Sequence, residues 1–146
     1  MAEYCLDKNR TFVKNGKKTG SLYQMIHAFD NVLEWEDGEK RTGADYTIAQ
    51  FTNVELREVL DEMEIKKHPK TGRPWTINYV NTRLEKILAV FQWGNDMRKV
   101  SDDKMKELKI VKPFELFSTN AAPNKPVIAV RDKYIKAAIP FMPPTV

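Results

Sequence analysis

Apolar residues recur along much of this chain at the three- and four-residue spacing of amphipathic helices. The clearest case is the segment 76–95, where one helical face collects six apolar side chains. These are Ile77, Val80, Leu84, Ile87, Leu88 and Phe91. Thr76 stands directly before this face, in the position of a capping residue. The pattern predicts a long helix from about Thr76 to Asn95.

A second apolar stripe predicts a helix nearer the N-terminus, starting at 19–21 and ending at about Trp35. Its inward side chains are Leu22, Met25, Ile26, Phe29, Val32 and Leu33. Ser21 is expected to cap this helix, with Gln24 as its capping-box partner. The segment 34–46 that follows carries Asp37-Gly38 and Gly43, which is typical of a polar turn or loop.

Two further helices have recognisable starts. Thr52 and Glu55 have the spacing of a capping box in front of one of them. Its outer side is expected to be acidic and a poor candidate for DNA contact; the residues are Glu55, Glu58, Asp61, Glu62 and Glu64. A short helix is predicted to begin at Ser101, followed by acids in its first turn, and to end before Pro113.

No run with the two-residue period of a strand is apparent, so the fold class predicted is all-α, a small bundle of about four helices. Residues 1–18 are interpreted as a basic N-terminal segment and 19–112 as the helical domain. Residues 113–146 are interpreted as an extended linker, with a last short helix at 131–139. The proline-rich end predicts that the chain continues into a larger protein.

Charge is unevenly distributed along the 146 residues, whose net charge is +4. Five cations and no acid lie in 8–18, and four cations and no acid lie in 66–73. The intervening segment 30–45 holds six acids against two cations. If the two basic segments meet in the fold, they form a cationic face suited to phosphates. The alternative is that both are solvated loops.

Residues that would support catalysis or metal binding are sparse. His27 and His68 have no cysteine or carboxylate at metal-ligand spacing, and no phosphate-binding or nucleophile motif is present. Cys5 is the only cysteine, which fits a plain thiol in a reducing compartment. We therefore predict no catalytic residue, no metal and no cofactor, and no membrane-spanning segment.

The region around the long helix resembles a known family. A basic loop ending at Arg73 is followed by Thr76-Ile77-Asn78, by V-x-x-x-L-x-x-I at 80–87 and by Phe91-x-Trp93. This succession resembles the N-terminal core-binding domain of the tyrosine recombinases, the phage-type integrases. The turn before the first helix and the tail at 126–143 are also similar to that family. Gly94 departs from it, because the family usually has alanine there.

The resemblance implies an orthogonal, SAM-like helical bundle that binds one side of a recombination site. Its partners would be double-stranded DNA and other integrase protomers, in a cytoplasm of bacterial, phage or mobile-element origin. Residues 113–146 would then be the linker and the start of the family's catalytic domain, whose catalytic residues would lie beyond residue 146. Phosphate contacts are assigned to Lys14, Lys17, Lys18, Lys66, Lys67, Lys70 and Arg73. The long helix that begins at Thr76 would lie in a groove of the DNA. Contacts with the DNA from the first half of this helix are assigned to Thr76, Asn78, Tyr79, Thr82, Arg83 and Lys86.

This hypothesis predicts that Arg83→Ala and Lys67→Ala fold normally but bind DNA more weakly. Trp75 and Trp93 are expected to pack inside the domain rather than stack on bases. The rival hypothesis is a helical protein-interaction module that uses the acidic helix or the proline-rich tail. Basic segments on opposite sides of the bundle would favour this rival.

Overall fold

The computed structural model of this chain describes residues 3–4, 12–68, 71–115 and 123. The elements with both ends among these residues are four α-helices, a short two-stranded hairpin and one 3₁₀ turn. In chain order they are β1 (Val13–Lys14), β2 (Lys17–Lys18), α1 (Gly20–Glu34), the 3₁₀ turn (Gly43–Asp45), α2 (Asn53–Ile65), α3 (Ile77–Asp96) and α4 (Asp102–Leu108). The domain is therefore mostly helical, but the predicted all-α class is wrong at the hairpin.

The hairpin joins β1 and β2 through a two-residue turn at Asn15-Gly16. Both turn residues have positive φ, 50° and 72°, as a type I′ turn requires. The antiparallel register pairs Val13 with Lys18 and Lys14 with Lys17. Asn-Gly is the strongest short-range signal of a hairpin. The search for the two-residue period of a strand missed this hairpin because each strand has only two residues.

Three of the four predicted helix starts are confirmed by side-chain caps. The Thr52 hydroxyl accepts from the Val54 amide at 3.2 Å, and the Glu55 carboxylate accepts from the Thr52 amide at 2.7 Å. The Thr76 hydroxyl caps α3 by accepting from the Tyr79 amide at 3.3 Å, and the Ser101 hydroxyl caps α4 by accepting from the Lys104 amide at 3.2 Å. The predicted Ser21 cap is wrong, because α1 begins after Thr19 and has no side-chain cap.

Helix α3 is the centre of the domain and packs against α1, α2 and α4. The core formed there includes the predicted apolar face of α3 and, from the predicted face of α1, Val32. Its fully buried members are Leu56, Val59, Leu60, Met63, Val80, Leu84, Ile87 and Leu108. The prediction that Leu33 points inward is wrong, because its side chain is 44% exposed. A smaller cluster of Phe12, Leu22 and Met25 anchors the hairpin against α1 and against Val90 of α3. The position of α3 decides which of its polar side chains remain accessible.

The predicted acidic outer face of α2 needs one correction. Glu64 is only 8% exposed and belongs to the buried side of the helix. The other acids remain at least partly exposed, and two of them form i,i+4 ion pairs with cations. These pairs join Arg57 to Asp61 and Lys66 to Glu62.

Gly94 has a packing reason to replace the alanine of the resembling family. A Cβ built on Gly94 would lie 2.8 Å from Cγ2 of Val100. The Gly94 carbonyl also accepts from the amides of Lys99 and Val100, at 2.8 Å and 3.2 Å. The absence of a side chain thus lets the chain turn back tightly after α3.

Several predictions fall on residues that the structure does not describe. They are the Lys70 contact, the Cys5 thiol, the helix at 131–139 and all of the linker except 113–115 and 123. Among the described helices, none combines the length and the apolar character needed to cross a bilayer.

Candidate nucleic-acid interface

A cleft of about 720 Å³ lies between α1, the loop after α2 and the first turns of α3. Its lining residues are His27, Asp30, Asn31, Glu34, Lys66, Lys67, His68, Trp75, Tyr79 and Arg83. The basic loop reaches it by folding back on itself, since the His68 amide donates to the Arg73 carbonyl at 2.8 Å. Gly72, with a φ of 63°, makes the turn. Lys66 and Lys67 are thereby placed beside the start of α3.

An aromatic stack forms one wall of this cleft. The rings of Trp75 and Tyr79 are nearly parallel, with centroids 3.8 Å apart and planes 8° apart. The Arg83 guanidinium carbon lies 4.2 Å from the Tyr79 ring centroid, and the His68 ring meets Trp75 edge-on at 4.8 Å. The sequence signal for part of this stack was the four-residue spacing of Tyr79 and Arg83, which brings side chains together on a helix. Trp75 precedes the cap of α3 and joins the stack from outside the helix.

Arg83 does not occupy the exposed position predicted for it. The residue is 6% exposed, and its Nη1 donates to the Gln24 carbonyl of α1 at 2.9 Å. Its Nε is buried and has no hydrogen-bond partner among the described residues. The prediction that Arg83 lies on the outer polar face of α3 was wrong, because α1 covers that part of the helix.

The predicted packing role of Trp75 is confirmed, since it is half-buried against the main core. Trp93 is also half-buried, and its ring meets the edge of Tyr4 with centroids 5.7 Å apart. Asn81 is held inside the domain as well. Its side-chain amide donates to the Phe114 carbonyl at 2.9 Å and accepts from the Phe114 amide at 2.8 Å.

The residues of α3 that remain on its accessible side form a single stripe. Asn78 is exposed, and Thr82 and Lys86 are half-buried. The spacing of four residues aligns these three along one side of the helix over about 12 Å, and Glu85, an exposed acid seven residues after Asn78, lies on the same side. Thr76, at the loop end of this stripe, uses its hydroxyl to cap α3, and Tyr79 belongs to the aromatic stack.

Residues that flank the two basic segments lie near opposite ends of this stripe. The loop at 66–73 leads directly into the first turn of α3, next to Asn78. At the other end, Lys86 lines a small pocket with Phe12, which precedes the hairpin, and with Ser21 of α1. Glu85 lines the same pocket and is the one acid there. The segments therefore reach the same helix pair, α1 and α3, at different points.

Most of the predicted phosphate contacts are accessible. Lys14, Lys17, Lys18, Lys67 and Arg73 are exposed, and none of them pairs with an acid in the described part of the chain. Lys14 and Lys17 are cross-strand partners in the hairpin, so two like charges stand directly opposite each other. Lys66 differs, because its Nζ pairs with Glu62 at 2.7 Å.

The acidic segment is divided between two roles. Asp30 and Glu34 line the cleft together with Lys66 and Lys67, so that region is mixed in charge rather than purely cationic. Asp37 instead organises its own loop by accepting from the Tyr46 hydroxyl at 2.6 Å and from Arg41 Nε at 2.8 Å. The Tyr46 hydrogen bond holds the pKa of Asp37 well below its usual range and raises the pKa of Tyr46 to about 12.

This chain matches no protein-family model, no curated protein and no solved structure. The likeness to the tyrosine recombinases therefore rests on the residues themselves. Within the described residues, no three His, Cys, Asp or Glu side chains are grouped closely enough to hold a metal ion.

Proposed function

We propose that this chain is a duplex-DNA-binding domain of the kind found at the N-terminus of tyrosine recombinases. The observation that carries the proposal is the polar stripe of α3, from Asn78 to Lys86, with a cationic segment at each end. A helix of this kind can enter the major groove while flanking cations bind the phosphates. The orthogonal, SAM-like arrangement of the helices and a cytoplasmic location belong to the same proposal.

In this assignment the base-reading side chains are Asn78 and Thr82, with Lys86 toward the hairpin. An asparagine amide suits the donor and acceptor pair of adenine in the major groove, and a threonine accepts or donates according to the base. The strand-breaking chemistry would belong to a separate catalytic domain, and this chain would supply affinity and position. Other protomers of the same recombinase would be its partners on the DNA.

The hairpin supplies the strongest electrostatic argument. Lys14 and Lys17 face each other across the two strands, and Lys18 follows directly. Like charges in directly opposed positions destabilise a hairpin, and a phosphate placed between them would remove that repulsion. The fold therefore keeps a cationic tip whose charges an anionic partner would neutralise.

The test is fluorescence anisotropy with a generic duplex at two salt concentrations about fourfold apart. If the five accessible cations each contact one phosphate, the affinity should fall by about 500-fold over this range, since each contact contributes about −0.9 to the logarithmic salt slope. For Lys14→Gln/Lys17→Gln, which retains three contacts, the fall should be about 40-fold. Lys106→Gln/Lys112→Gln makes the same charge change elsewhere and should leave the salt slope unchanged.

Absence of duplex binding at low salt would overturn the proposal. An equal loss of affinity in the hairpin variant and in the control variant would show that only the net charge matters. The second result would remove the hairpin lysines from the interface.

A protein-interaction role is the second candidate, and one surface favours it. A groove of about 490 Å³ lies between the start of α2 and the segment after α4. Two of its lining residues, Val54 and Ile110, are 56% and 65% exposed although both are apolar. Exposed apolar side chains beside charged ones, here Arg57 and Glu58, are characteristic of protein-binding surfaces. This role predicts a protein partner and no salt-dependent affinity for DNA.

A further inference from the structure

The guanidinium of Arg83 is held from two sides. Its Nη1 donates to the Gln24 carbonyl of α1, and its plane lies over the ring of Tyr79, which in turn stacks on Trp75. These contacts leave the side chain little conformational freedom, because hydrogen bonding and stacking restrict it in different directions. The group is therefore ordered before any ligand arrives.

One edge of this ordered guanidinium has no hydrogen-bond partner among the described residues. The Nε and Nη2 atoms form the edge that binds carboxylates and phosphates through two parallel hydrogen bonds. In Arg83 the Nε is buried without a hydrogen bond among the described residues, and the only hydrogen bond of the group uses Nη1. Leaving a buried charged donor unsatisfied is costly, so such an atom requires an explanation.

The surroundings of Arg83 supply both signs of charge. Lys67 lines the cleft and is exposed, whereas Lys66 is already paired with Glu62. On the α1 side, Asp30 lies 3.5 Å from Nδ1 of His27, and Glu34 is exposed on the lining of the cleft. An anionic ligand here would gain from Lys67 and Arg83 and would be opposed by Asp30 and Glu34.

We propose that the cleft binds one phosphate-type oxyanion, held by the Nε–Nη2 edge of Arg83 and assisted by Lys67. A tetrahedral oxyanion offers two acceptor oxygens at the spacing of this edge, and it would satisfy the orphaned Nε. The cleft volume of about 720 Å³ accommodates a phosphate ester, whereas a whole duplex is too wide to enter. The inference goes beyond the proposed function, because it holds whether or not the α3 stripe binds DNA.

The experiment is a titration of the ¹⁵N-labelled full chain with inorganic phosphate, followed by NMR and compared with chloride at matched ionic strength. The Nε–H signal of Arg83 reports directly on its edge. We expect this signal to shift with saturation in phosphate and not in chloride. In Arg83→Lys, which keeps the charge but loses the edge, the amide signals of Trp75 and Tyr79 should report about tenfold weaker binding.

Two surface variants make the test independent of any loss of stability in Arg83→Lys. Lys67→Gln should weaken phosphate binding, and Glu34→Gln should strengthen it, because the two charges oppose each other at the same ligand. Lys112→Gln, which lies outside the cleft, should leave the affinity unchanged. Shifts that do not saturate, or that are equal in phosphate and chloride, would overturn the proposal. Identical affinities for wild type, Lys67→Gln and Glu34→Gln would do so as well.

Adding duplex DNA to the phosphate-saturated protein identifies the source of the oxyanion. If the Nε–H signal of Arg83 shows that the duplex displaces inorganic phosphate from the site, the occupant is a backbone phosphate at the edge of the duplex. If phosphate still saturates the site in the presence of duplex, the occupant is a small phosphate ester. Both results retain the oxyanion site. If the Lys14→Gln/Lys17→Gln variant binds duplex DNA as wild type does, that result contradicts only the proposed function and leaves the oxyanion site untouched.

Discussion

Arg83→Ala tests whether the guanidinium is a packed part of the domain. The substitution removes the hydrogen bond to the Gln24 carbonyl and the contact with the Tyr79 ring. A hydrogen bond from a charged donor contributes about 1.5–3 kcal/mol, and a desolvated cation–π contact contributes about 0.5–2 kcal/mol. The same substitution also removes the buried Nε, which has no hydrogen-bond partner among the described residues. Removing the cost of this unsatisfied donor offsets about 1–3 kcal/mol of the loss. We expect a net loss of about 2 kcal/mol in the free energy of unfolding.

The measurement is urea unfolding followed by tryptophan fluorescence, to which Trp75 contributes because it stacks on Tyr79. Lys86→Ala is the control on the same helix; it removes a half-buried lysine with no ion pair in the described residues, and should change stability by less than about 0.5 kcal/mol. Equal unfolding midpoints for Arg83→Ala and wild type would refute the packed position of Arg83. The expected result also means that a loss of DNA binding in Arg83→Ala must be measured where the variant is still folded.

Three further predictions follow from the fold. Gly94→Ala should lower thermal stability by about 1–3 kcal/mol in spite of the better helix propensity of alanine, because the new Cβ would meet Val100. In a Val100→Ala background the same change should be neutral or stabilising, and an additive double mutant would contradict this packing. Asn81→Ala should cost about 1–3 kcal/mol in urea unfolding, since two hydrogen bonds to the Phe114 backbone are lost, and no effect would show that the amide is solvated instead. The pKa of Asp37 is lower in the folded than in the unfolded state. Its contribution to the free energy of unfolding should therefore be complete above the unfolded pKa of about 4 and be lost progressively as the pH falls below that value. Because the pKa of Tyr46 is raised to about 12, its contribution to the free energy of unfolding should be complete below about pH 10 and be lost as the pH rises through the raised pKa. Unfolding temperatures measured against pH check both limbs, and Asp37→Asn should flatten the acid limb; an unchanged acid limb would remove Asp37 from this role.

Local patterns predicted the helices well because helix formation depends on neighbouring residues. The period of apolar positions placed α1 and α3 within one or two residues of their bounds. Thr52 was recognisable as a cap from Glu55 three positions on, and Thr76 from its place directly before the apolar face. The hairpin was missed because its strands carry too few residues for a local pattern. Its strands are too short to show a period, and only the Asn15-Gly16 turn carried the signal.

The sequence by itself determined which residues are polar, where the helices begin and that cations concentrate in two segments. Only the tertiary structure decided which polar side chains on α3 stay accessible. Arg83 is engaged by Gln24, 59 residues earlier, and Asn81 by Phe114, 33 residues later, so no local period records either contact. A helical face is outward only if nothing else packs on it, and that depends on how distant segments meet. The same packing leaves Asn78, Thr82 and Lys86, together with the acidic Glu85, on the accessible side of α3.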